Sequence, residues 1–371
     1  MKFLGAIMAA QLLALAACAA NLPPIQTVFV ILLENHNWSL IAGNPDAPFI
    51  NGTLLPQASH CEQYYNPPGV HPSEPNYLWL EAGTNFSIFN DEDPASNHQD
   101  TTNHLVALLE RAGISWKTYQ EDIMAGYVPL VNTNNYAVRH NPFAFFDDVT
   151  GTNDPGNAYG IAHIRPYEEL AADLTNLTVA RYNFITPDLN HSGHNAVPPD
   201  YNTVRQTDDW LASEVPKIMN SAAYSNNGAL FITWDEAEGG GAGPIGMMVL
   251  SPLARGGGYF NDLYYTHSSF VRTMQEIFGV MPLLGDAANA TDLSDLFTPF
   301  AISVRGFMPD GTIELSVTGV QPGQTNFVQS STDFWNWQTI QTNIAVSNSF
   351  TATDHATTSH AAVFYRAGKT Q

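Results

Sequence analysis

Two pairs of residues with oxygen-bearing side chains follow two apolar runs of the chain. Glu34-Asn35 comes directly after the run Thr27–Leu33, and Asp235-Glu236 comes after residues 229–233 and Trp234. The carboxyl ends of parallel strands meet at one edge of an open α/β sheet, where ligands bind. Three carboxylates and an amide oxygen there would form a ligand set for Ca²⁺, Mg²⁺ or Mn²⁺, and nearby imidazoles leave Zn²⁺ open. The sequence therefore predicts a divalent metal site at this edge.

A serine at the predicted start of a helix is the second candidate. Ser73 lies in the segment HPSEPNYLWLEA, residues 71–82. One interpretation is that Ser73 only caps the helix. The other is that its hydroxyl is a nucleophile beside free backbone N–H groups that hold a phosphoryl oxygen. Capping explains nothing about His71 or Asn76, whereas a phosphate pocket would use both.

Histidines in two further segments are candidates for contact with a reacting group. His191 and His194 lie with Asp188 in the segment PDLNHSGH, which contains glycine and is predicted to be a loop. An ordinary surface loop is the alternative interpretation. His267 precedes a predicted helix, which it could cap, or it could protonate a leaving group.

The elements that must position these residues alternate between strands and helices. The predicted strands are Thr27–Leu33, residues 179–185, residues 229–233 and Met247–Leu250, and the predicted helices are residues 104–112, 208–220 and 268–278. Continuous apolar runs are typical of strands buried on both faces, so the pattern predicts an α/β fold with a largely parallel central sheet.

The composition changes near residue 300. From there the chain is rich in Thr, Ser, Asn and Gln, with short alternating stretches at residues 312–317 and 327–331 and turn signals between them. This pattern predicts a small β-sandwich. We therefore expect a catalytic domain over residues 21–300 and a β-sandwich-like module over residues 301–371.

Charge and composition exclude several classes of partner. The chain has 371 residues, with 13 Lys and Arg against 35 Asp and Glu, for a net charge of −22. Such a field repels phosphate backbones, so nucleic acid is excluded as a partner, and an anionic substrate would need a bound cation. The hydrophobic fraction of 44% is that of a globular protein rather than a disordered one.

The N-terminus predicts export. Met1-Lys2 and the apolar run 3–17 have the form of a signal peptide, residues 1–20, and the run is too short to span a bilayer. The sequence LAAC ending at Cys18 resembles a bacterial lipobox, which predicts membrane attachment through a lipidated cysteine, with ordinary cleavage at Ala20 as the alternative. The protein is then a periplasmic or cell-surface lipoprotein, or else secreted. The one other cysteine, Cys61, is predicted to be a buried free thiol.

Seven segments together resemble one family, the phosphoesterases that include bacterial and fungal acid phosphatases and non-haemolytic phospholipases C. The segments are ILLENHNWS (31–39), HPSEPNYLWLEAGT (71–84), WKTYQED (116–122), HNPFAFF (140–146), ITPDLNHSGH (185–194), FITWDE (231–236) and HSSFVRTMQEIFG (267–279). The resemblance implies an alkaline-phosphatase-like three-layer α/β/α fold. It covers about 250 residues and leaves the C-terminal module outside it.

The resemblance also implies residue roles. The implied metal ligands are Glu34, Asn35, Asp235 and Glu236; the implied catalytic residues are Ser73, His191, His194 and His267; and the implied substrate-binding residues are His71, Asn76 and Asp188. Many relatives carry a further histidine after the WDE segment, whereas this chain has the glycine-rich residues 237–246, which we interpret as a rim of the site.

The functional expectation is an exported, metal-dependent phosphoesterase that hydrolyses phosphate monoesters through a phosphoserine intermediate. The substrate would be a small phosphate ester or a phospholipid head group, and the oligomeric state stays open. A phospholipase C-type phosphodiesterase is the first alternative. A sulfuryl hydrolase is weakened by the lack of a Cys/Ser-x-Pro-x-Arg pattern. An inactive carbohydrate-binding surface lipoprotein is the alternative of another class.

Overall fold

The structure is a computed structural model that describes residues 22–320, 323, 325–347, 349–355 and 363–369. The predicted signal peptide, with Cys18 and Ala20, lies outside the described residues. Within the described part of the chain, no helix has the length and apolar character needed to cross a bilayer.

An eight-stranded mixed sheet forms the centre of the molecule, and a two-stranded pair lies apart from it. The sheet contains β1 (Thr27–Leu33), β2 (Ser59–Cys61), β4 (Trp116–Gln120), β5 (Ile164–Pro166), β6 (Tyr182–Thr186), β7 (Gly228–Trp234), β8 (Met247–Leu250) and β9 (Tyr259–Asn261), and the pair is β3 (Tyr64–Tyr65) with β10 (Tyr265–Thr266). The strand order is β5-β4-β6-β1-β7-β8-β2-β9. The first five strands in this order, from β5 through β4, β6 and β1 to β7, are parallel to one another. Strand β8 is antiparallel to its neighbours β7 and β2, and β2 is parallel to β9.

The apolar runs form this sheet because both of its faces are covered. Every residue of β7, and all of β1 after Thr27, is buried, although successive side chains point to opposite faces. The Phe231 ring on β7 meets Phe270, and the Tyr182 ring on β6 meets Phe278, both from one helix near the end of the domain. The predicted α/β fold with a largely parallel sheet is therefore confirmed.

Ten α-helices and several shorter turns connect the described strands. The helices are α1 (Trp38–Ile41), α2 (Ser73–Ala82), α3 (Pro94–Asn97), α4 (Leu105–Arg111), α5 (Asp147–Thr150), α6 (Ala158–His163), α7 (Glu169–Asn176), α8 (Thr203–Met219), α9 (Ala222–Ser225) and α10 (His267–Phe278). A π-helical turn spans Ile50–Leu54, and 3₁₀ turns span Val138–His140, Pro142–Phe145, Glu238–Gly240, Gly285–Ala288 and Ser294–Leu296.

Helix α8 begins five residues earlier than the sequence predicts. Its N-cap is Asn202, whose side chain accepts a hydrogen bond from the Arg205 N–H at 3.1 Å. The first turn presents polar residues, so apolar periodicity alone does not reveal it.

In the described part of the C-terminal region, the strands form two three-stranded antiparallel sheets. Their strands are β11 (Ala301–Phe307), β12 (Ile313–Thr318), β13 (Thr325–Ser331), β14 (Gln338–Ile344), β15 (Ser349–Asp354) and β16 (Phe364–Lys369), in the orders β11-β12-β15 and β14-β13-β16. Residues of both sheets, including Leu315, Val317 and Val328, form a small apolar core separate from the core around the central sheet. This agrees with the predicted β-sandwich, while the division into domains at residue 300 stays a prediction.

Candidate active site

The register of the two central strands brings Glu34 and Asp235 together. Strand β1 pairs with β7 up to Leu33 opposite Trp234, so the next residue of each strand lies at the same sheet edge. Asn35 adopts a left-handed conformation with φ of 55°, which asparagine tolerates better than most residues. Its N–H donates to Asp235 Oδ1 at 2.9 Å. The turn after β1 is thus fixed to the end of β7.

Ser73, the first residue of α2, lies against this pair. Its buried hydroxyl donates to Glu34 Oε2 at 3.1 Å, across 39 residues of chain. The residue before the helix is Pro72, and no side-chain cap bond is made there. The interpretation of Ser73 as a simple cap is therefore wrong, because the hydroxyl bonds to a carboxylate rather than to a backbone N–H of its own helix.

Glu34 is held by several side chains from different parts of the chain. Tyr77, one turn along α2 from Ser73, donates to Glu34 Oε1 at 2.6 Å, and Asn35 Nδ2 donates to Oε2 at 3.0 Å. His140 Nε2 lies 3.3 Å from Oε1, and its ring stacks on Tyr77 with centroids 5.1 Å apart. Glu34 is fully buried, so these contacts fix the direction of its carboxylate.

Glu236 is tied to the segment that precedes Ser73. Its Oε2 lies 2.5 Å from His71 Nδ1 and accepts a hydrogen bond from Asn76 Nδ2 at 3.1 Å. Asn76 Nδ2 also lies within 3.0 Å of the carbonyl oxygens of Val70 and Pro72. The structure therefore places His71, Asn76 and Glu236 together, while the predicted binding of substrate by His71 and Asn76 stays a prediction.

Burial dominates the electrostatics of the three carboxylates. It raises the pKa of Glu34, with repulsion from Asp235 as the second cause. Burial, followed by repulsion from Glu236, raises the pKa of Asp235 to about 8, and burial raises the pKa of Glu236 to about 7. Asp235 Oδ2 is buried and has no hydrogen-bond partner. Because buried carboxylates are costly without a counter-charge, this oxygen set fits a hard divalent cation.

His194 lies beside a cationic side chain, Arg139. Arg139 donates to His194 Nε2 at 3.1 Å, and His194 Nδ1 lies 2.9 Å from Asn195 Oδ1. Since arginine can only donate, Nε2 of His194 is the acceptor and Nδ1 carries the proton. Single ligand atoms of Glu34, His140 and His194 lie within 4.8 Å of one another, which makes them a second group able to hold a metal ion.

Asp188 and His191 contact a different carboxylate. His191 Nδ1 lies 2.9 Å from Glu121 Oε2, and the Asp188 N–H donates to the same oxygen. Asp188 Oδ1 accepts hydrogen bonds from the N–H groups of Asn190 and His191 and so shapes the loop. The hydrogen bond to Glu121 raises the pKa of His191. The structure thus groups Asp188 and His191 with Glu121, and their hydrogen bonds do not run to Glu34.

His267 lies beneath the end of β7. Its Nε2 lies 2.6 Å from the carbonyl oxygen of Asp235, and its Nδ1 lies 3.0 Å from the Tyr64 hydroxyl. Since a carbonyl only accepts, Nε2 carries the proton and Nδ1 accepts from Tyr64. Burial lowers the pKa of His267 to about 4. Both ring nitrogens are engaged, so His267 holds the backbone of Asp235 in place.

Some residues of the site were not predicted from the sequence, and Arg139, His140 and Asp91 among them lie outside periodic segments. Arg139 and His140 lie on the 3₁₀ turn Val138–His140, and Asp91 accepts a hydrogen bond from the Glu74 N–H at 3.0 Å, near the start of α2. His140 and Tyr77 lie in the motif segments HNPFAFF and HPSEPNY, and membership of these segments was the sequence signal that could have identified them as site residues. No comparable signal marked Asp91.

Comparisons with known proteins show which family the chain is related to. The model of the Phosphoesterase family matches residues 46–281. A phosphatidylinositol-3-phosphatase of Mycobacterium tuberculosis is 26% identical over 75% of this chain and 85% of its own length. A probable acid phosphatase of Kluyveromyces lactis is 27% identical over 83% of this chain and 75% of its own length.

Two further similarities are more distant. Phospholipase C B of Mycobacterium tuberculosis is 26% identical over 46% of this chain and 38% of its own length. A solved structure of a protein in the alkaline phosphatase superfamily from Vibrio parahaemolyticus is 14% identical, with a TM-score of 0.46 over 86% of this chain and 83% of that chain. The family match covers more than half of the chain, and the relatives above act on phosphoric esters by name. The protein therefore belongs to the phosphoesterase family and is a hydrolase of phosphoric ester bonds.

Proposed function

We propose that this protein is an exported, metal-dependent phosphatase that hydrolyses phosphate monoesters through a phosphoserine at Ser73. The observation that carries the proposal is the hydrogen bond from the Ser73 hydroxyl to Glu34, at a site where Asp235 Oδ2 is buried without a partner. A nucleophile and an oxygen ligand set therefore share one carboxylate.

The metal ligands in this proposal are Glu34, Asn35, Asp235 and Glu236, and the N–H of Asn35 also ties the turn after β1 to Asp235. When bound, the cation lowers the pKa of the serine hydroxyl and neutralises charge on the phosphoryl oxygens. His71 and Asn76 orient Glu236 from the segment around Ser73. The orientation of the ligands is thus set by residues on both sides of the nucleophile.

The chain's own residues account for each proton. Ser73 releases its proton along the existing hydrogen bond to Glu34 Oε2, and its oxygen attacks phosphorus. The bond between phosphorus and the alcohol oxygen breaks, and the leaving alcohol takes up the proton that Glu34 received from Ser73. Water then attacks the phosphoserine and gives one proton to Glu34; the bond between phosphorus and the Ser73 oxygen breaks, inorganic phosphate is released and Glu34 returns the proton to Ser73.

Arg139 supplies a positive charge in a chain with a net charge of −22. Its side chain is only 18% exposed, it donates to His194, and its Nε lies 3.5 Å from Asp91 Oδ2. A guanidinium presents five donors in a fork that matches phosphoryl oxygens. We propose that Arg139 and His194 contact the transferring group.

The comparisons favour a monoester over a diester as the substrate. The relatives that share most of their length with this chain are named as phosphatases, whereas phospholipase C B matches over less than half of it. A phospholipase C-type diesterase is the second candidate. Export is part of the proposal on the ground of the predicted signal peptide at residues 1–20.

The test is hydrolysis of p-nitrophenyl phosphate and p-nitrophenyl phosphorylcholine with and without EDTA. We expect the monoester to be preferred, EDTA to abolish turnover and a divalent cation to restore it. Preference for the choline diester would favour the phospholipase. A folded, metal-supplied protein that turned over neither ester and kept affinity for glycans would favour the inactive carbohydrate-binding alternative.

The nucleophile is tested with a matched pair of serine variants. Ser73→Ala should lower kcat by more than about a thousandfold, because no other group replaces the attacking oxygen. Ser221, the N-cap of α9, accepts a hydrogen bond from the Tyr224 N–H, so Ser221→Ala should cost about 1 kcal/mol of stability and leave kcat unchanged. Turnover by Ser73→Ala at more than a tenth of the wild-type rate would contradict the serine mechanism.

A further inference from the structure

A cleft of about 500 Å³ opens beside the carboxylate cluster. Two tyrosines and a set of small or uncharged residues line it: Tyr65, Asn66, Pro68, Gly69, His71, Gly240, Gly241, Ala242 and Tyr264. Its volume is in the range of pockets that hold small organic molecules. The cleft lies between the segment before α2 and the glycine-rich rim after Glu236.

The cleft is continuous with the candidate active site through His71. The Nδ1 atom of His71 lies 2.5 Å from Glu236 Oε2, while the ring borders the cleft, 3.8 Å from where a Cβ on Gly240 would lie. Asn66, in the same segment as His71, donates to the carbonyl oxygen of Val70 at 3.1 Å, and Asn76 donates to the same oxygen at 3.0 Å. One hydrogen-bonded segment therefore joins the cleft to the residues that hold Glu236.

The chemistry of the cleft is that of a site for a flat, uncharged group. The rings of Tyr65 and Tyr264 lie with centroids 5.2 Å apart and planes inclined by 33°. The Tyr65 hydroxyl donates to Gln63 Oε1 at 2.6 Å, so this polar end is engaged. None of the nine residues that line the cleft is Asp, Glu, Lys or Arg, although the chain has 35 acidic residues. Aromatic rings offer stacking faces to other rings.

We propose that this cleft binds the alcohol portion of the substrate, and that the enzyme prefers phosphate esters of uncharged aromatic or similarly flat apolar alcohols. The inference rests on the proposed function, since it places the leaving group of that reaction. When the bond between phosphorus and the ester oxygen breaks, the alcohol takes up the proton that Ser73 released and remains in the cleft, against the packed pair of Tyr65 and Tyr264, until it dissociates. On the wall formed by the glycine-rich rim, Gly240, Gly241 and Ala242 have no bulky side chains, which leaves room for a ring.

The experiment compares Tyr264→Ala with the wild type on naphthyl phosphate and glycerol phosphate. Tyr264 is 60% exposed, so truncation should not disturb the core. We expect kcat/KM for naphthyl phosphate to fall about tenfold and kcat/KM for glycerol phosphate to change less than about twofold. The ratio of the two kcat/KM values is compared between the variant and the wild type, so the different intrinsic reactivities of the two esters cancel. Tyr264→Phe should keep the wild-type ratio, because it retains the ring.

The control variant is Leu263→Ala, which truncates the exposed neighbour of Tyr264 outside the cleft and should leave both esters unaffected. Calorimetric binding of free naphthol gives a readout that needs no turnover, and Tyr264→Ala should weaken it. Naphthol binding without hydrolysis of either ester would overturn the proposed function and retain the cleft assignment. Hydrolysis with an unchanged ester ratio in Tyr264→Ala, or binding of choline in place of naphthol, would overturn the cleft assignment and retain the phosphatase.

Discussion

Arg139 is a cationic side chain placed among acceptors at the candidate active site. If it binds the phosphoryl group, Arg139→Gln should raise KM for a phosphate monoester and the inhibition constant of inorganic phosphate by about ten- to a hundredfold, the effect of one charge-assisted hydrogen bond. Arg139→Lys should recover part of the loss. Arg165→Gln is the control, because it removes an arginine whose partner is the nearby Glu169. Equal KM values for the Arg139 and Arg165 variants would contradict the role.

The residues of the site divide into those that the sequence could reveal and those that it could not. Glu34 and Asp235 follow long buried strands, so the topology of a parallel sheet is enough to predict their approach. Arg139 was invisible because it lies on a short 3₁₀ turn whose position depends on tertiary packing. His191 is a further case, since its glycine-containing segment predicted the loop but not the contact with the Glu121 carboxylate.

Helix α2 carries Ser73 at one end and is held by a close backbone approach at the other. Its C-cap, Gly83, has φ of 67°, and a Cβ there would lie 2.4 Å from the carbonyl oxygen of Leu284. Gly83→Ala should therefore lower the free energy of unfolding by more than about 2 kcal/mol, from a strained left-handed backbone plus a clash. Denaturant unfolding measures the change.

Gly279 provides a matched control for this prediction. It is the C-cap of α10 with φ of 66°, but no atom lies within 4 Å of a Cβ built there. Gly279→Ala should cost only the backbone strain, about 1 kcal/mol. If both variants lost the same stability, the contact between Gly83 and Leu284 would have no energetic role.

A buried histidine links α2 to α4 and α5. His104 Nδ1 lies 3.0 Å from Glu81 Oε1, its Nε2 lies 3.0 Å from Asp148 Oδ1, and its ring stacks on Phe146. Burial alone would lower the pKa of His104, but the hydrogen bonds to Asp148 and Glu81 outweigh it and raise the pKa. Burial raises the pKa of Glu81 itself. Both groups are thus more readily protonated in the folded state.

The sign of the pH dependence follows from these shifts. A histidine whose pKa is raised on folding stabilises the protein fully below its unfolded pKa of about 6.5, and this contribution is lost as pH rises through the folded pKa. The difference in unfolding free energy between wild type and His104→Gln should therefore shrink as the pH rises above the unfolded pKa of about 6.5 and through the raised folded pKa. Asp148→Asn should flatten the same dependence. A difference that grew with pH would show that His104 is buried in the neutral form.

Long elements were predictable and short ones were not. Strand β1 has the bounds Thr27–Leu33 that its apolar run predicts, and α10 begins one residue before the predicted start. Strands β2 and β9 have three residues each, too few for a periodic pattern to form. The antiparallel direction of β8 was also hidden, because a buried strand reads the same in either direction.

On the scale of the whole molecule, the two apolar cores behave as separate units of stability in our interpretation. The larger core includes the central sheet and ends at Phe297, and the smaller one is built from strands beyond residue 312. The residues of the carboxylate cluster follow strands of the larger core. A destabilising substitution in the smaller core should therefore lower the stability of the C-terminal region alone.

Two variants of buried aliphatic residues test this separation. Leu315 on β12 and Ile232 on β7 are both fully buried, so truncation to alanine should cost about 2–5 kcal/mol at either position. Leu315→Ala should lower the melting temperature of the C-terminal region and leave kcat for a phosphate monoester unchanged. Ile232→Ala should lower the temperature at which turnover is lost, because Asp235 follows directly after the last residue of β7, Trp234. Calorimetry with parallel activity measurements distinguishes the cases, and loss of turnover in Leu315→Ala together with the C-terminal transition would mean that the active site depends on both cores.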